Sequence, residues 1–213
     1  VGAELVNEFG IEPTKLYSLN YAVDYINNKA LDKLAKNNLE FREYEMEITM
    51  YGTVKNKMQT EEKFKKFCTA PVLLQLCVGA QVMLLWNLDL PNQLANGSRG
   101  VVVGFTEDLP VVRFLNGIER IIDYNTWEME EGDIKSMRAI QIPLKLAYAV
   151  SIHKIQGSSL DYAEIDLSEV FEYGQCYTAL SRVRSLEGLS IIAIDWDKVK
   201  AHPKAIEFYR GLE

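Results

Sequence analysis

The sequence predicts an α/β protein whose mostly parallel sheet is flanked by helices and interrupted by a small antiparallel β-barrel. Residues 1–40 and 141–213 alternate strand patterns with helical patterns, which is typical of βαβ units and a parallel sheet. Residues 41–140 hold short apolar runs separated by turn residues, which is typical of a small barrel. We therefore expect one domain from 1–40 with 141–213, and a second domain, 41–140, inserted into it.

The first α/β segment opens with a strand candidate at 15–19 and continues into a helix at about 21–36. Asn20 stands between the two and is predicted to cap the helix. Apolar residues recur through the helix at helical spacing, namely Val23, Ile26, Ala30, Leu31 and Leu34.

The inserted segment begins with a strand across 43–50, where polar and apolar residues alternate with a period of two. Its acidic residues Glu43, Glu45 and Glu47 are interpreted as a solvated face rather than a metal site, because no histidine joins them. A short solvated helix is predicted at 61–66, and an exposed loop or strand end at 128–131. Further strands are predicted at 73–78, 81–86, 101–105, 111–115 and 120–122, with a hairpin turn at Asn116-Gly117.

The tryptophans and cysteines discussed next are interpreted as packing residues rather than as binding or catalytic residues. Trp86 and Trp127 are interpreted as barrel core, although either ring is suited to stack on a base. The chain has three cysteines, which is an odd number, and no two of them form a C-x-x-C pair. Both observations disfavour a disulfide framework or a zinc site. We expect no metal site in this chain, a reducing intracellular compartment, and a packing role for Cys176.

Composition restricts the class of function. The 213 residues are 48% hydrophobic and 25% charged, as in ordinary globular proteins. Every apolar run is interrupted before it reaches the length of a membrane span, so no membrane partner is expected. The formal net charge of −7 disfavours nucleic-acid binding unless basic residues gather locally. The phosphate-loop pattern G-x-x-x-x-G-K-[ST] does not occur.

The most informative residues form two blocks in the last third of the chain. The first block, 147–161, runs from an apolar strand into a polar loop. Ser151 and His153 share one strand face if the strand continues to His153. Gln156 and Gly157 then place donors outside the carboxyl edge of the sheet, where α/β folds bind ligands, and glycine lets the backbone approach a phosphate. The alternative is a simple turn with a partly buried histidine.

The second block, 174–184, predicts a helix near 175–183. A buried stripe is predicted at Cys176, Ala179, Leu180 and Val183, and a polar face at Gln175, Thr178 and Arg182. The planar, permanently charged guanidinium of Arg182 suits the oxygens of a triphosphate. The alternative is an exposed arginine paired with a local carboxylate. Strands at 163–167 and 189–194 and a helix at 203–211 complete the α/β pattern.

Together the blocks resemble motifs V and VI of the petite-integration-frequency (PIF) DNA helicases, superfamily-one enzymes that move 5′ to 3′. Their patterns are A-x-A-x-S-I-H-K-x-Q-G-x-S-L-D and G-Q-C-Y-T-A-L-S-R-V-R. Residues 76–84 and 96–102 resemble that family's barrel region, and Asn20 with 23–27 resembles a looser motif IV. Ile155 departs from the pattern, since many relatives carry serine there, and this removes one hydroxyl contact.

The resemblance implies the C-terminal motor half of an ATP-dependent helicase, namely the second RecA-like domain with an inserted SH3-like barrel. By this resemblance Arg182 is the catalytic arginine that reaches the γ-phosphate, and Gln156 and Gly157 border the nucleotide. The residues implied to contact single-stranded DNA are Ser151, His153, Lys154 and Asn27.

The resemblance also implies the cofactors and partners. ATP and Mg²⁺ are expected to bind mainly to a first RecA-like domain that carries the phosphate loop, so the 213 residues alone should be inactive. Single-stranded, forked or structured DNA and that first domain are the expected partners. A eukaryotic source implies the nucleus and/or the mitochondrion. Two alternatives stay open: a nucleic-acid or protein interaction module without ATPase activity, and a RecD-type or transposon-borne relative.

Overall fold

The structure, a computed structural model, describes residues 10–36, 41–51, 64, 68–131 and 134–212. The chain divides into two compact units, the first Val1–Ala30 with Ala147–Glu213 and the second Leu31–Leu146. The predicted domain limits, 1–40 with 141–213 and 41–140, stay a prediction, because compactness alone does not show which segment folds by itself.

The described strands and helices follow one another along the chain. The strands are β1 (Thr14–Tyr17), β2 (Phe41–Glu45), β3 (Glu47–Met50), β4 (Leu73–Cys77), β5 (Gln81–Leu84), β6 (Arg99–Thr106), β7 (Leu109–Phe114), β8 (Glu119–Ile121), β9 (Asn125–Glu131), β10 (Ile134–Gln141), β11 (Leu144–Leu146), β12 (Ala149–Ser151), β13 (Ala163–Leu167) and β14 (Leu189–Ile194). The α-helices are α1 (Asn20–Ala35), α2 (Gln175–Leu180) and α3 (Pro203–Arg210), and short 3-10 turns lie at His153–Ile155 and Trp196–Lys198.

The first unit is built on a four-stranded sheet in the order β12-β1-β13-β14. Every pairing in this sheet is parallel. Leu16, Val150 and Ile165 are almost completely buried, which is expected where a parallel sheet is covered on its faces. The predicted α/β fold with a RecA-like parallel sheet and helices is confirmed.

Helix α1 confirms the helix predicted at 21–36, with one difference at its start. Asn20 is the first helical residue rather than the residue before the helix. Leu31 is buried and Val23 and Ile26 are partly buried, so the apolar positions of the predicted pattern share one face. None of the described helices is long and apolar enough to span a membrane.

The second unit consists of three antiparallel sheets. Five strands pair in the order β11-β5-β6-β7-β8, three in the order β3-β10-β9, and β2 pairs with β4. One hydrophobic cluster joins Tyr44 and Leu76 to Val102 and Phe114, and so packs the two-stranded ribbon on the five-stranded sheet. The predicted antiparallel insertion is confirmed, whereas its SH3-like character stays a prediction.

The single strand predicted across 43–50 is wrong. β2 pairs with β4 but β3 pairs with β10, and the chain changes sheets at Met46. The Met46 N–H donates to the Val72 carbonyl at 2.8 Å, and the buried Gln141 Nε2 donates to the Tyr44 carbonyl at 2.9 Å. The side chain of Gln141, which is distant in sequence, thus fixes the change of sheet at Met46. The alternation of polar and apolar residues across 43–50 cannot reveal such a contact.

Other expectations for the second unit have mixed outcomes. The segment 128–131 is the end of β9 and pairs with β10, which confirms the strand-end alternative rather than the loop. Trp127 is buried as predicted, but Trp86 is 45% exposed, with the two rings edge to face at 6.2 Å. The acidic residues at 43, 45 and 47 are exposed. Of the helix predicted at 61–66, only Phe64 lies within the described residues.

Candidate functional site

The first block departs from its predicted path directly after β12. The strand ends at Ser151, and His153–Ile155 form a 3-10 turn. The Ile152 N–H donates to the Tyr17 carbonyl at 2.9 Å, which fixes the start of the turn to the carboxyl end of β1. The predicted common face of Ser151 and His153 is therefore wrong, because it required the strand to continue.

Burial also separates these two residues. Ser151 is 1% exposed, and its Oγ has no hydrogen-bond partner within the described part of the chain. The His153 side chain is 41% exposed, and its Nε2 lies 2.8 Å from Glu172 Oε2. The His153 ring lies 6.0 Å from the ring of Phe171, and Lys154 is exposed on the same turn. The carboxyl edge therefore presents His153 and Lys154 to solvent and buries Ser151.

Gly157 reverses the chain after the 3-10 turn. Its φ of 80° is a left-handed conformation that glycine adopts without the steric cost of a side chain. A methyl group placed on Gly157 meets no atom within 4 Å, so the backbone here borders open space. Gln156 is exposed beside it. The two residues implied to border a nucleotide are therefore accessible to a ligand.

Arg182 lies two residues beyond the end of α2 at Leu180, not within the predicted helix. Its guanidinium folds back onto the chain: Nε donates to the Thr178 carbonyl at 3.1 Å and Nη2 to Ser181 Oγ at 3.0 Å. Nη1 lies 3.5 Å from the Ser158 carbonyl, beside Gly157. All three acceptors are neutral, so the described neighbours leave the positive charge of Arg182 uncompensated.

A parallel β-bridge between Leu160 and Val183 joins the two blocks. The Leu160 N–H donates to the Arg182 carbonyl at 2.8 Å, and the Arg184 N–H donates to the Leu160 carbonyl at 3.0 Å. The Arg184 guanidinium also pairs with Asp161, at 2.8 Å. The bridge draws Val183 into extended pairing, and this is why α2 ends three residues before the predicted limit at Val183.

The bridge also assigns the candidate residues to two regions. Leu160 precedes the first residue of β13 by three positions, so Arg182 and Ser158 lie toward the end of the sheet where β13 begins. His153 instead follows the carboxyl end of β12. The amino ends and the carboxyl ends of parallel strands lie at opposite ends of the sheet. Arg182 and His153 therefore lie toward opposite ends of this sheet, and Gln156 and Gly157 lie on the segment between them, with the Gln156 N–H donating to the His153 carbonyl at 3.3 Å.

Gln175 is 3% exposed, which corrects its predicted place on a polar face. Its Oε1 accepts the Phe171 N–H at 2.9 Å and the Glu172 N–H at 3.4 Å. Phe171 and Glu172 were missed as site residues, because they precede the second block and meet His153 only in the folded chain. No sequence signal links residues 19 positions apart in this way.

The predicted buried stripe of α2 is partly correct. Cys176 and Ala179 are buried, whereas Leu180 is 37% exposed. Burial raises the pKa of the Cys176 thiol, which lowers its thiolate fraction. Cys176 is therefore a packing residue.

Asn27 lies beside the first residue of β12, away from the carboxyl edge. Its Nδ2 donates to the Ala149 carbonyl at 2.9 Å, and its Oδ1 accepts the Ala149 N–H at 3.0 Å. β12 is the edge strand of the sheet, so this amide pairs backbone groups that no further strand satisfies. The side chain implied to contact DNA is thus engaged in holding the sheet edge.

The surroundings of Arg182 fit a phosphate group. A guanidinium held by neutral oxygens keeps its charge available to an anion, and its planar fork matches two phosphate oxygens. The adjacent backbone at Gly157 adds open space for the ligand. The described ranges contain no cluster of His, Cys, Asp and Glu that suits a metal ion.

The chain is similar to proteins of one family along most of its length. Residues 62–105 match the family model of the 2B domain of the DNA helicase Pif1. The ATP-dependent DNA helicase PIF1 of Xenopus laevis is 40% identical over 98% of this chain. The crystal structure of the Pif1 helicase from Candida albicans superposes with a TM-score of 0.74 at 33% identity over 94% of the chain. A Bacteroides Pif1 in complex with ADP-AlF3 and ssDNA gives 0.64 at 28% identity over 96%.

The chain is much shorter than these proteins. It spans 32% of the Xenopus protein, 50% of the Candida chain and 46% of the Bacteroides chain.

Proposed function

Because the chain belongs to the Pif1 family of DNA helicases, we propose that it is the C-terminal motor half of an ATP-dependent 5′-to-3′ DNA helicase. In this proposal the first unit is the second RecA-like domain of a two-domain clamp. A first RecA-like domain supplies the phosphate loop and most contacts to ATP and Mg²⁺. The second unit is the inserted SH3-like barrel.

The observation that carries the proposal is the junction of the two blocks. The Leu160–Val183 bridge sets Arg182 beside the open backbone at Gly157, and neutral acceptors hold its guanidinium. A structural surface arginine normally pairs with a carboxylate, as Arg184 does with Asp161 in the same bridge. Arg182 instead keeps its charge for a ligand that approaches from outside the chain.

Arg182 then acts as an arginine finger. ATP supplies the phosphoryl group that is transferred to water. As the two domains close, the Arg182 fork donates to the γ-phosphate oxygens and stabilises the charge that develops on them. Gln156 and Gly157 border the same phosphates.

The carboxyl edge of the sheet supplies part of the grip on single-stranded DNA. Lys154 is exposed there and donates to the DNA backbone, and the exposed His153 ring contacts the DNA beside it. Ser151 and Asn27 support strand β12 from within, because one is buried at its carboxyl end and the other pairs its first residue. The Bacteroides Pif1 helicase was solved in complex with both ADP-AlF3 and ssDNA, which supports a nucleotide contact and a DNA contact in one protein.

Unwinding polarity gives a sharp test. The full-length protein should unwind a duplex with a 5′ single-stranded tail in the presence of ATP and Mg²⁺, and should fail on the matched duplex with a 3′ tail. Unwinding of the 3′-tailed substrate alone would contradict the proposed polarity. Binding of both substrates without ATP hydrolysis would instead favour an interaction module.

A further inference from the structure

We infer that Gln175 is a positioning residue that couples the nucleotide side of the first unit to its DNA-binding edge. The inference rests on the proposed function and adds to it the residue that carries the coupling. A series of direct contacts runs from Arg182 through α2 to Gln175, then to Glu172, and ends at His153.

The first part of this path lies at the end of α2. The Arg182 guanidinium donates to the Thr178 carbonyl at 3.1 Å and to Ser181 Oγ at 3.0 Å, and the Arg182 N–H donates to the Ala179 carbonyl at 3.2 Å. Any movement of Arg182 toward a phosphate therefore strains or releases contacts to this helix. α2 has only six residues, and in this inference it shifts as one unit when its end is displaced.

The second part lies at the start of α2. Gln175, the first helical residue, accepts the backbone N–H groups of Phe171 and Glu172 through its Oε1. The Glu172 carboxylate in turn lies 2.8 Å from His153 Nε2, and the Phe171 ring lies 6.0 Å from the His153 ring. A shift of α2 thus moves both side chains that orient His153.

The amide of Gln175 is not explained by stability alone. Gln175 is 3% exposed, yet its Nε2 has no hydrogen-bond partner among the described residues. A buried donor without a partner is destabilising, and the contacts that Gln175 makes through Oε1 do not require its Nε2 amino group. An unpaired buried donor suits a group that changes partners between two states of a site. Coupling requires such a two-state element between the sites it links.

The glutamate fixes which histidine nitrogen faces DNA. With Nε2 engaged by Glu172, the ring presents Nδ1 as its free polar atom. When α2 shifts, the contact between the Glu172 carboxylate and His153 Nε2 changes. The His153 ring then turns, and its Nδ1 points in a different direction. The nucleotide state therefore alters the DNA contact without any direct contact between the two ligands.

The test compares the affinity of the full-length protein for fluorescent oligo-dT with and without ADP–aluminium fluoride, by fluorescence anisotropy. In the wild type the nucleotide analogue should change the affinity about tenfold, within the usual range of coupling between sites. Gln175→Met keeps the volume and removes the acceptor, and should reduce the change to about twofold or less. Glu172→Ala, at an exposed position whose loss does not threaten folding, should do the same.

A double-mutant cycle separates coupling from simple structural damage. Gln175→Met should have no additional effect on the nucleotide-dependent change in a Glu172→Ala background, because both substitutions break the same path. Tyr177→Phe, at a 77% exposed position on the same helix, serves as the matched control and should keep the wild-type change. Melting curves of each variant accompany the titrations.

The outcomes distinguish the inference from the proposed function. A tenfold change that survives in both Gln175→Met and Glu172→Ala overturns the coupling path. Additive losses in the double variant overturn it as well. A wild type that hydrolyses ATP on DNA but shows equal affinity with and without the analogue overturns the coupling and leaves the helicase assignment intact. A wild type without DNA-stimulated hydrolysis overturns the proposed function itself.

Discussion

At the scale of single residues, Arg182 and Arg184 show how local pairing decides what an arginine can do. Arg184 forms an ion pair with Asp161, and such exposed pairs contribute about 0–1 kcal/mol to stability. Within the described part of the chain, Arg182, two positions earlier, contacts only neutral oxygens. The same bridge therefore carries one arginine whose charge is neutralised and one whose charge its described neighbours leave uncompensated.

Arg182→Ala in the full-length protein should abolish unwinding and lower ATP turnover by about 10³–10⁵-fold. Stability should fall by only about 1 kcal/mol, since the guanidinium is partly exposed and its removal leaves no core cavity. Arg182→Lys should fail as well, because an ammonium group cannot reproduce the planar fork. Steady-state ATPase on saturating single-stranded DNA, with a melting curve for each variant, measures both effects.

Arg184→Ala provides the control at the neighbouring position and should keep most of the turnover. Near-normal turnover in Arg182→Ala would show instead that this arginine is an ordinary surface residue.

His153→Ala should weaken the binding of single-stranded DNA about tenfold, the equivalent of about 1.4 kcal/mol and of one lost hydrogen bond. The side chain is 41% exposed and packs no core, so the melting temperature should stay close to that of the wild type. His202→Ala is the matched control, because it removes the other histidine, whose ring caps α3. Equal DNA affinity for His153→Ala and wild type at low salt would make His153 a structural residue.

At the scale of elements, local sequence patterns predict the parallel sheet well and the second unit less well. β14 carries an apolar run, β13 alternates apolar and polar residues, and α1 carries a clear helical period, so each is specified by its own residues. The break between β2 and β3 depends on Gln141, which contacts them only after folding. For the same reason the last turn of α2 could not be predicted, since its end is set by the distant Leu160.

The junction between the two blocks tolerates no side chain at Gly188. A methyl group there would overlap the Asp161 carbonyl oxygen, and the neighbouring Ala163 N–H donates to the Gly188 carbonyl at 2.9 Å. Gly188→Ala should therefore destabilise the chain by about 2–3 kcal/mol or more, because backbone rather than a flexible side chain must shift. Urea unfolding measures the loss. Gly104→Ala, where an added methyl meets nothing within 4 Å, is the control, and an equal effect of both would refute the steric argument.

The edge strand β12 depends on one helical side chain. Asn27→Ala removes both hydrogen bonds to the backbone of Ala149 and should cost about 1–3 kcal/mol in the free energy of unfolding. Asn28→Ala removes an exposed asparagine from the next position of the same helix and should be nearly neutral. If Asn27→Ala lowers DNA affinity without loss of stability, Asn27 is a direct DNA contact rather than a support of the sheet edge.

At the scale of the whole molecule, the proposed function gives this chain one side of each binding site. The formal charge of −7 opposes DNA, so binding must depend on a local group of basic and polar residues at the carboxyl edge of the sheet. The nucleotide side offers Arg182 and open backbone, whereas the sequence contains no phosphate loop. Catalysis on this account requires a second domain that supplies the remaining groups.

The most direct measurement is the ATPase activity of the purified 213-residue chain with saturating single-stranded DNA and Mg²⁺, beside the full-length protein under the same conditions. The account predicts no turnover above background for the chain alone and DNA-stimulated turnover for the full-length protein. The full-length Arg182→Ala variant serves as the inactive reference. DNA-stimulated ATP hydrolysis by the 213 residues themselves would contradict the two-domain account.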